Sequence, residues 1–137
     1  MKNEKLENLV KTRQIKAEAP DPTEVQSFVR AAKAKIHDSK NLDLSLESRF
    51  ELSYSAAHSL ALAALRRLGY RSENRIIVFQ CLPHTLSVDK IQTRILGDIH
   101  NRRNLAAYEG EFEVSEQMVE SLIRIVDDLL ARLELLG

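Results

Sequence analysis

The sequence predicts an all-α fold, an up-and-down bundle of five or six helices, and three observations carry that expectation. Only four glycines and three prolines interrupt the 137 residues, which leaves little material for tight turns. Alanine, leucine, glutamate, lysine and arginine dominate, and all are good helix formers. Apolar residues recur at i, i+3, i+4 and i+7 in several long segments, each bounded by residues suited to capping.

Residues 3–17 read as the first helix, with Leu6, Leu9, Val10 and Ile15 as a sparse apolar stripe. The run Ala19-Pro20-Asp21-Pro22 ends it. Asp21 then caps a second helix that has Pro22 at its first position and Glu24 in its first turn. Val25, Phe28, Val29, Ala32 and Ile36 form its inner face. Ser45 caps the third helix, about Leu46 to Leu68, whose stripe is Phe50, Tyr54, Ala57, Leu60, Ala61, Ala64, Leu65 and Leu68. Ala56 and Ala63 stand on its flank, and so many alanines imply close approach by a neighbouring helix. Gly69 supplies the stop. A short helix from Glu73 to about Leu82 is halted by Pro83. Ser87 caps the next, Val88 to Tyr108, anchored by Ile91, Ile95, Leu96, Ile99 and Leu105, and Gly110 ends it. Ser115 opens the last helix, to Leu136, with Met118, Val119, Leu122, Ile125, Val126, Leu129 and Leu133 at helical spacing. No β-sheet is expected. The chain reads as a single helical domain over residues 1–137, with 1–20 as N-terminal helix and connector and 21–137 as bundle core.

Composition narrows the function. Formal net charge is zero, so no global field draws the chain to nucleic acid or membrane. The charge is unevenly spread, with seven acids against two arginines from Glu111 onward, which permits a basic patch elsewhere. The lone Cys81 excludes an internal disulfide and reads as a small buried hydrophobe. No stretch approaches the length of a membrane span, and the expected location is cytoplasmic. There is no glycine-rich phosphate loop, no GxSxG elbow and no HExxH pair. No metal site and no cofactor are expected.

The densest chemistry lies in NRRNLAAYEG, Asn101 to Gly110. On a helix, His100, Arg103, Asn104 and Tyr108 share one inclined stripe, while Arg102 points roughly 100° away from Arg103. Guanidinium, amide and phenol together can hold an anionic group, with the guanidinium fork taking phosphate bidentately. The plainer reading is that Arg102 and Arg103 complement the helix C-terminus and pair with acids of the next segment. The third helix adds Tyr54 and, four residues on, a partly buried His58. His84 belongs to a turn after Pro83, and His37 to a helix end where a dipole contact explains it.

From about Ser45 to Leu136 the order of features resembles the HEPN domain family. The resemblance rests on the alanine-rich YSAAHSLALAALRRLGY, the shorter RIIVFQCLPHTL, and the arginine-bearing NRRNLAAYEG. It implies a bundle of four or five helices and a homodimer whose arginine motifs face a shared cleft. Many members are metal-independent RNases, several of them toxins in toxin–antitoxin pairs; others are inactive binding modules. The family motif is an arginine, often followed by asparagine, then a histidine after four to six intervening positions. Arg103-Asn104 matches its first half, and Tyr108 occupies the histidine slot. A tyrosine, titrating near pH ~10, is a poor base at neutrality, so catalysis is weakened or lost. The resemblance therefore implies RNA or nucleotide-phosphate binding by Arg103, Asn104 and Tyr108, with Arg102, His100 and His58 as further candidates. The alternative is a non-catalytic interaction module that partners a nucleotidyltransferase or an antitoxin.

Overall fold

Asn3 opens helix α1 (Glu4–Lys11) by accepting hydrogen bonds from the backbone N–H groups of Lys5 and Leu6. The helix stops well short of residue 17 because Arg13 takes a left-handed backbone (φ 63°), which turns Ile15 into the core at 2% exposure. Strand β1 (Lys16–Ala17) follows. Asp21 then caps helix α2 (Pro22–Ser39) through Thr23 and Glu24, with Pro22 in the first turn as expected. Ser45 caps helix α3 (Leu46–Arg67), and Gly69 at φ 92° ends it against Pro20. Strand β2 (Tyr70–Arg71) pairs antiparallel with β1, Lys16 opposite Arg71 and Ala17 opposite Tyr70. The computed structural model describes residues 3–109 and 113–136, the side chains of 107–109 excepted.

Helix α4 (Arg75–Gln80) is capped by Asn74 and passes through Cys81 into helix α5 (Leu82–Thr85). Pro83 thus starts a helix instead of halting one, at a position where a missing N–H costs nothing. Helix α6 (Lys90–Glu109) is capped by Asp89, which accepts from the Gln92 N–H at 2.8 Å. Ser87, expected in that role, has φ 56° and forms part of the preceding turn. Helix α7 (Glu116–Leu135) begins at Ser115 as expected. Among the described residues the fold is thus seven helices and one small two-stranded sheet, not five or six helices alone.

Helix α3 is the centre. Phe50, Tyr54, Ala56, Ala57, Leu60, Ala61, Ala63, Ala64 and Leu65 are all buried, so its alanines are core on every side, including those expected on a flank. Helices α2 and α7 pack along it, and α4 and α5 sit between it and α6. From α7 come Val119, Leu122, Ile125, Val126, Leu129 and Leu133. Three expected anchors face outward instead: Leu68 is 40% exposed, Ile91 73% and Leu105 56%. Periodicity placed Ile91 and Leu105 on an apolar face, but α6 meets α4 and α5 along a narrow seam centred on Leu96 and Ile99.

The sheet and connector are held by a clasp around Arg66, which is 2% exposed. Its guanidinium donates to the Glu24 carboxylate and to the carbonyls of Glu18 (3.0 Å) and Ala19 (2.8 Å). Arg71 joins Glu18 (2.7 Å) to Glu24 (2.6 Å). Truncating Arg66 leaves the Glu18 and Ala19 carbonyls and one Glu24 oxygen without their donor, at a cost of about 3 kcal/mol. Arg66→Met should therefore lower the urea-denaturation free energy by roughly that amount. Lys33→Met, which breaks a half-exposed pair with Glu134, should change it by less than about 1 kcal/mol.

Candidate functional site: an arginine and imidazole cluster on Tyr54

On the N-terminal half of α3, Glu51, Tyr54, Ser55 and His58 fall at i, i+3, i+4 and i+7 and so share one face. This face meets α4 and α6. Tyr54 is buried with its ring stacked on Phe50 (centroids 6.0 Å) and its hydroxyl 2.7 Å from His100 Nδ1. The other ring nitrogen of His100, Nε2, accepts from Asn104 Nδ2 at 3.0 Å. A neutral imidazole that accepts at Nε2 carries its proton on Nδ1, so His100 donates to the Tyr54 oxygen. The three side chains form one hydrogen-bonded line from the core to the exposed Asn104.

Arg103 leaves that line and leans over α3. Its guanidinium carbon lies 4.5 Å from the Tyr54 ring centroid, within cation–π range, and the group donates to Glu51 at 3.2 Å from both Nε and Nη2. Arg75, exposed at the start of α4, places its guanidinium carbon 5.8 Å from the same centroid. Phe79 stands edge-on to Tyr54, His58 and His100 at 6.0 to 6.3 Å and fills the space between the two imidazoles. Lys35 reaches across from α2, its Nζ donating to Ser55 Oγ at 2.7 Å.

The electrostatics follow from this crowding of cations. Burial, then the charges of Arg75, His100 and Lys35, push the His58 imidazole down to about 4. Burial, then Arg75 and Arg103, lower His100 as well. Both rings are therefore uncharged at neutral pH. Cys81 is buried, and desolvation raises its thiol to about 11, so it behaves as the inert hydrophobe its context implies.

Of the sequence candidates, the fold brings His58, His100, Arg103 and Asn104 together. Arg102 is exposed and outside the cluster. The side chain of Tyr108 lies outside the described residues. Arg103 does pair with a carboxylate, but with Glu51 of α3 and not with an acid of the following segment. His84 is set apart in α5, its carbonyl accepting from Asn3, and His37 is exposed in the last turn of α2. Glu51, Lys35, Arg75 and Phe79 were missed. The polar stripe from Glu51 to His58 could have been read from the sequence, whereas the arrival of Lys35 and Arg75 depends on how α2 and α4 dock.

Among the described residues no group of three His, Cys, Asp or Glu side chains could hold a metal ion, and no helix is long and apolar enough to cross a membrane. A large cavity of about 660 Å³ opens at the other end of α3, lined by Pro20, Val25, Val29, Arg67 and Leu133, without a histidine. No protein-family model, curated protein or solved structure matches the chain.

The neutral His58 has a consequence for stability. An unfolded histidine takes a proton near 6.5 and the folded one only near 4, so between those values the unfolded state binds more protons. The contribution is complete above about pH 6.5 and is lost as pH falls towards 4. Thermal melts from pH 7 to 4.5 should show a falling Tm, and His58→Gln should flatten the fall. An identical pH profile for the variant would mean His58 titrates normally.

Proposed function

We propose that this chain is a HEPN-like protein that binds RNA or nucleotide phosphate on the face formed by Arg75, Arg103 and Asn104, and that it acts as a homodimer. One observation carries the reading. Two guanidiniums from separate helices converge on a single tyrosine ring beside imidazoles that stay neutral, and Glu51 is the carboxylate that pairs with Arg103. A phosphate arriving there meets donors and little repulsion. The Arg103 fork can exchange Glu51 for phosphate oxygens with the same bidentate geometry. Asn104, held through His100, offers a further polar contact whose orientation is fixed from below. The exposed Ile91 and Leu105 on α6 favour covering by a second copy of the chain.

Binding is the primary activity in this reading. With a phenol in the slot that the family motif gives to histidine, proton abstraction from a 2′-hydroxyl at neutral pH is disfavoured. Fluorescence anisotropy with a short single-stranded RNA at low salt tests the proposal. Arg75→Ala and Arg103→Ala should each weaken binding about tenfold, the loss of one charge-assisted contact, and the double variant should abolish it. Unchanged affinity in both single variants, with the fold intact, would make the arginines structural and the assignment wrong.

The motif departure gives a separate outcome. Tyr108→His should confer or increase cleavage of RNA in EDTA, and adding Arg103→Ala should remove it. Strong cleavage by the wild-type protein that Tyr108→Phe leaves unchanged would place the base elsewhere.

A further inference from the structure

We propose that Lys35, His58 and Arg75 form a second phosphate subsite beside Arg103, so that the ligand is an oligonucleotide strand spanning both and not a mononucleotide. This rests on the phosphate-binding reading of the cluster and specifies its ligand. The subsite is built from three helices. Lys35 of α2 is held to Ser55, which is three residues from His58 and on the same face of α3. Arg75 of α4 stands over Tyr54, one turn before His58 on that face. The charges of both the ammonium and the guanidinium reach the imidazole.

His58 is the unexplained member. It is half-buried against the edge of Phe79, and no hydrogen bond ties its ring to another described residue. Every charged or titratable group that acts on it (Arg75, His100 and Lys35) is cationic or neutral. Glu51 is seven residues away on α3, about 10 Å along the helix, and is engaged by Arg103. Its partly exposed ring presents an uncharged donor near two cations, which suits a phosphodiester oxygen. The two subsites lie about one helical turn apart along α3, roughly 6 Å, on the scale of neighbouring phosphates in an extended strand. Arg75 lies between them and can contact both.

Titrations of the wild-type protein with adenosine monophosphate and with a six-nucleotide single-stranded RNA test the assignment. The oligomer should bind at least tenfold more tightly. Lys35→Met and His58→Gln should each weaken the oligomer about fivefold and leave the mononucleotide unchanged, whereas Arg103→Ala should weaken both. Lys35 is at the surface of α2, so its variant keeps the test valid should His58→Gln lose stability, and melting curves of each variant check this. Equal affinity for the two ligands would overturn the second subsite, as would silent Lys35 and His58 variants alongside an active Arg103 effect; either leaves the phosphate-binding reading standing. Failure of wild-type protein to bind either ligand overturns both.

Discussion

The burial of α3 on all sides from Leu60 to Arg66 is the constraint from which the rest of this structure follows. Five of its residues between positions 56 and 64 are buried alanines, and α2, α7 and the α4–α5 pair close around it. A segment buried on every side has no solvent face, so a polar side chain there, or on the inner face of the more open first turns, must find a partner inside the protein. Ser53 bonds back to the carbonyls of Arg49 and Phe50. Arg66 gathers Glu24 and the connector, and that demand creates the short β1–β2 pairing. Tyr54 reaches His100. Helix α6 packs mainly on α4 and α5, so this hydrogen bond and the Arg103–Glu51 pair tie it to α3 through side chains. The candidate site is thus one of the places where the core helix must satisfy a polar group at its edge.

Magnitudes decide whether that edge can serve a ligand. Arg103 and Glu51 keep side-chain exposures of 32% and 53%, and pairs so exposed contribute about 0–1 kcal/mol. A charge-assisted bond to phosphate is worth roughly 1.5–3 kcal/mol, so displacing Glu51 costs less than binding returns. Arg66 is in the opposite position: buried, with three oxygen partners or more, it cannot leave its carboxylates without stranding a charge. Two arginines in one small protein are thereby separated into an available and a committed one by burial alone.

Much of the fold was legible because its local signals are strong. Asp21, Ser45 and Ser115 cap the helices they were expected to cap, since a side-chain acceptor ahead of an apolar period leaves few other arrangements. What local periodicity cannot say is which side a neighbour takes. Ile91 and Leu105 have helical spacing and face outward, and Ile15 fits a stripe but is carried into the core by a turn at Arg13. The two-residue strands carry no pattern at all; their pairing is imposed by the Arg66 clasp. At the site, His58, His100, Arg103 and Asn104 were legible from helix geometry on two segments. Lys35 and Arg75 were not, because their approach is a property of helix docking, whereas Glu51 shares the α3 face of Tyr54 and His58 and could have been read.

The central claim is that a cationic face backed by neutral imidazoles receives phosphate, and the ring nitrogens of His58 and His100 report on it most directly. Nitrogen-15 NMR of the histidine side chains at pH 6, without and with a single-stranded RNA oligomer, is the decisive measurement. The phosphate-binding reading predicts an uncharged His58 ring at this pH, a proton on Nδ1 of neutral His100, and a large shift of the His58 ring signals when RNA is added. A His58 that is half-protonated near its ordinary value of 6.5 and indifferent to RNA would contradict the account.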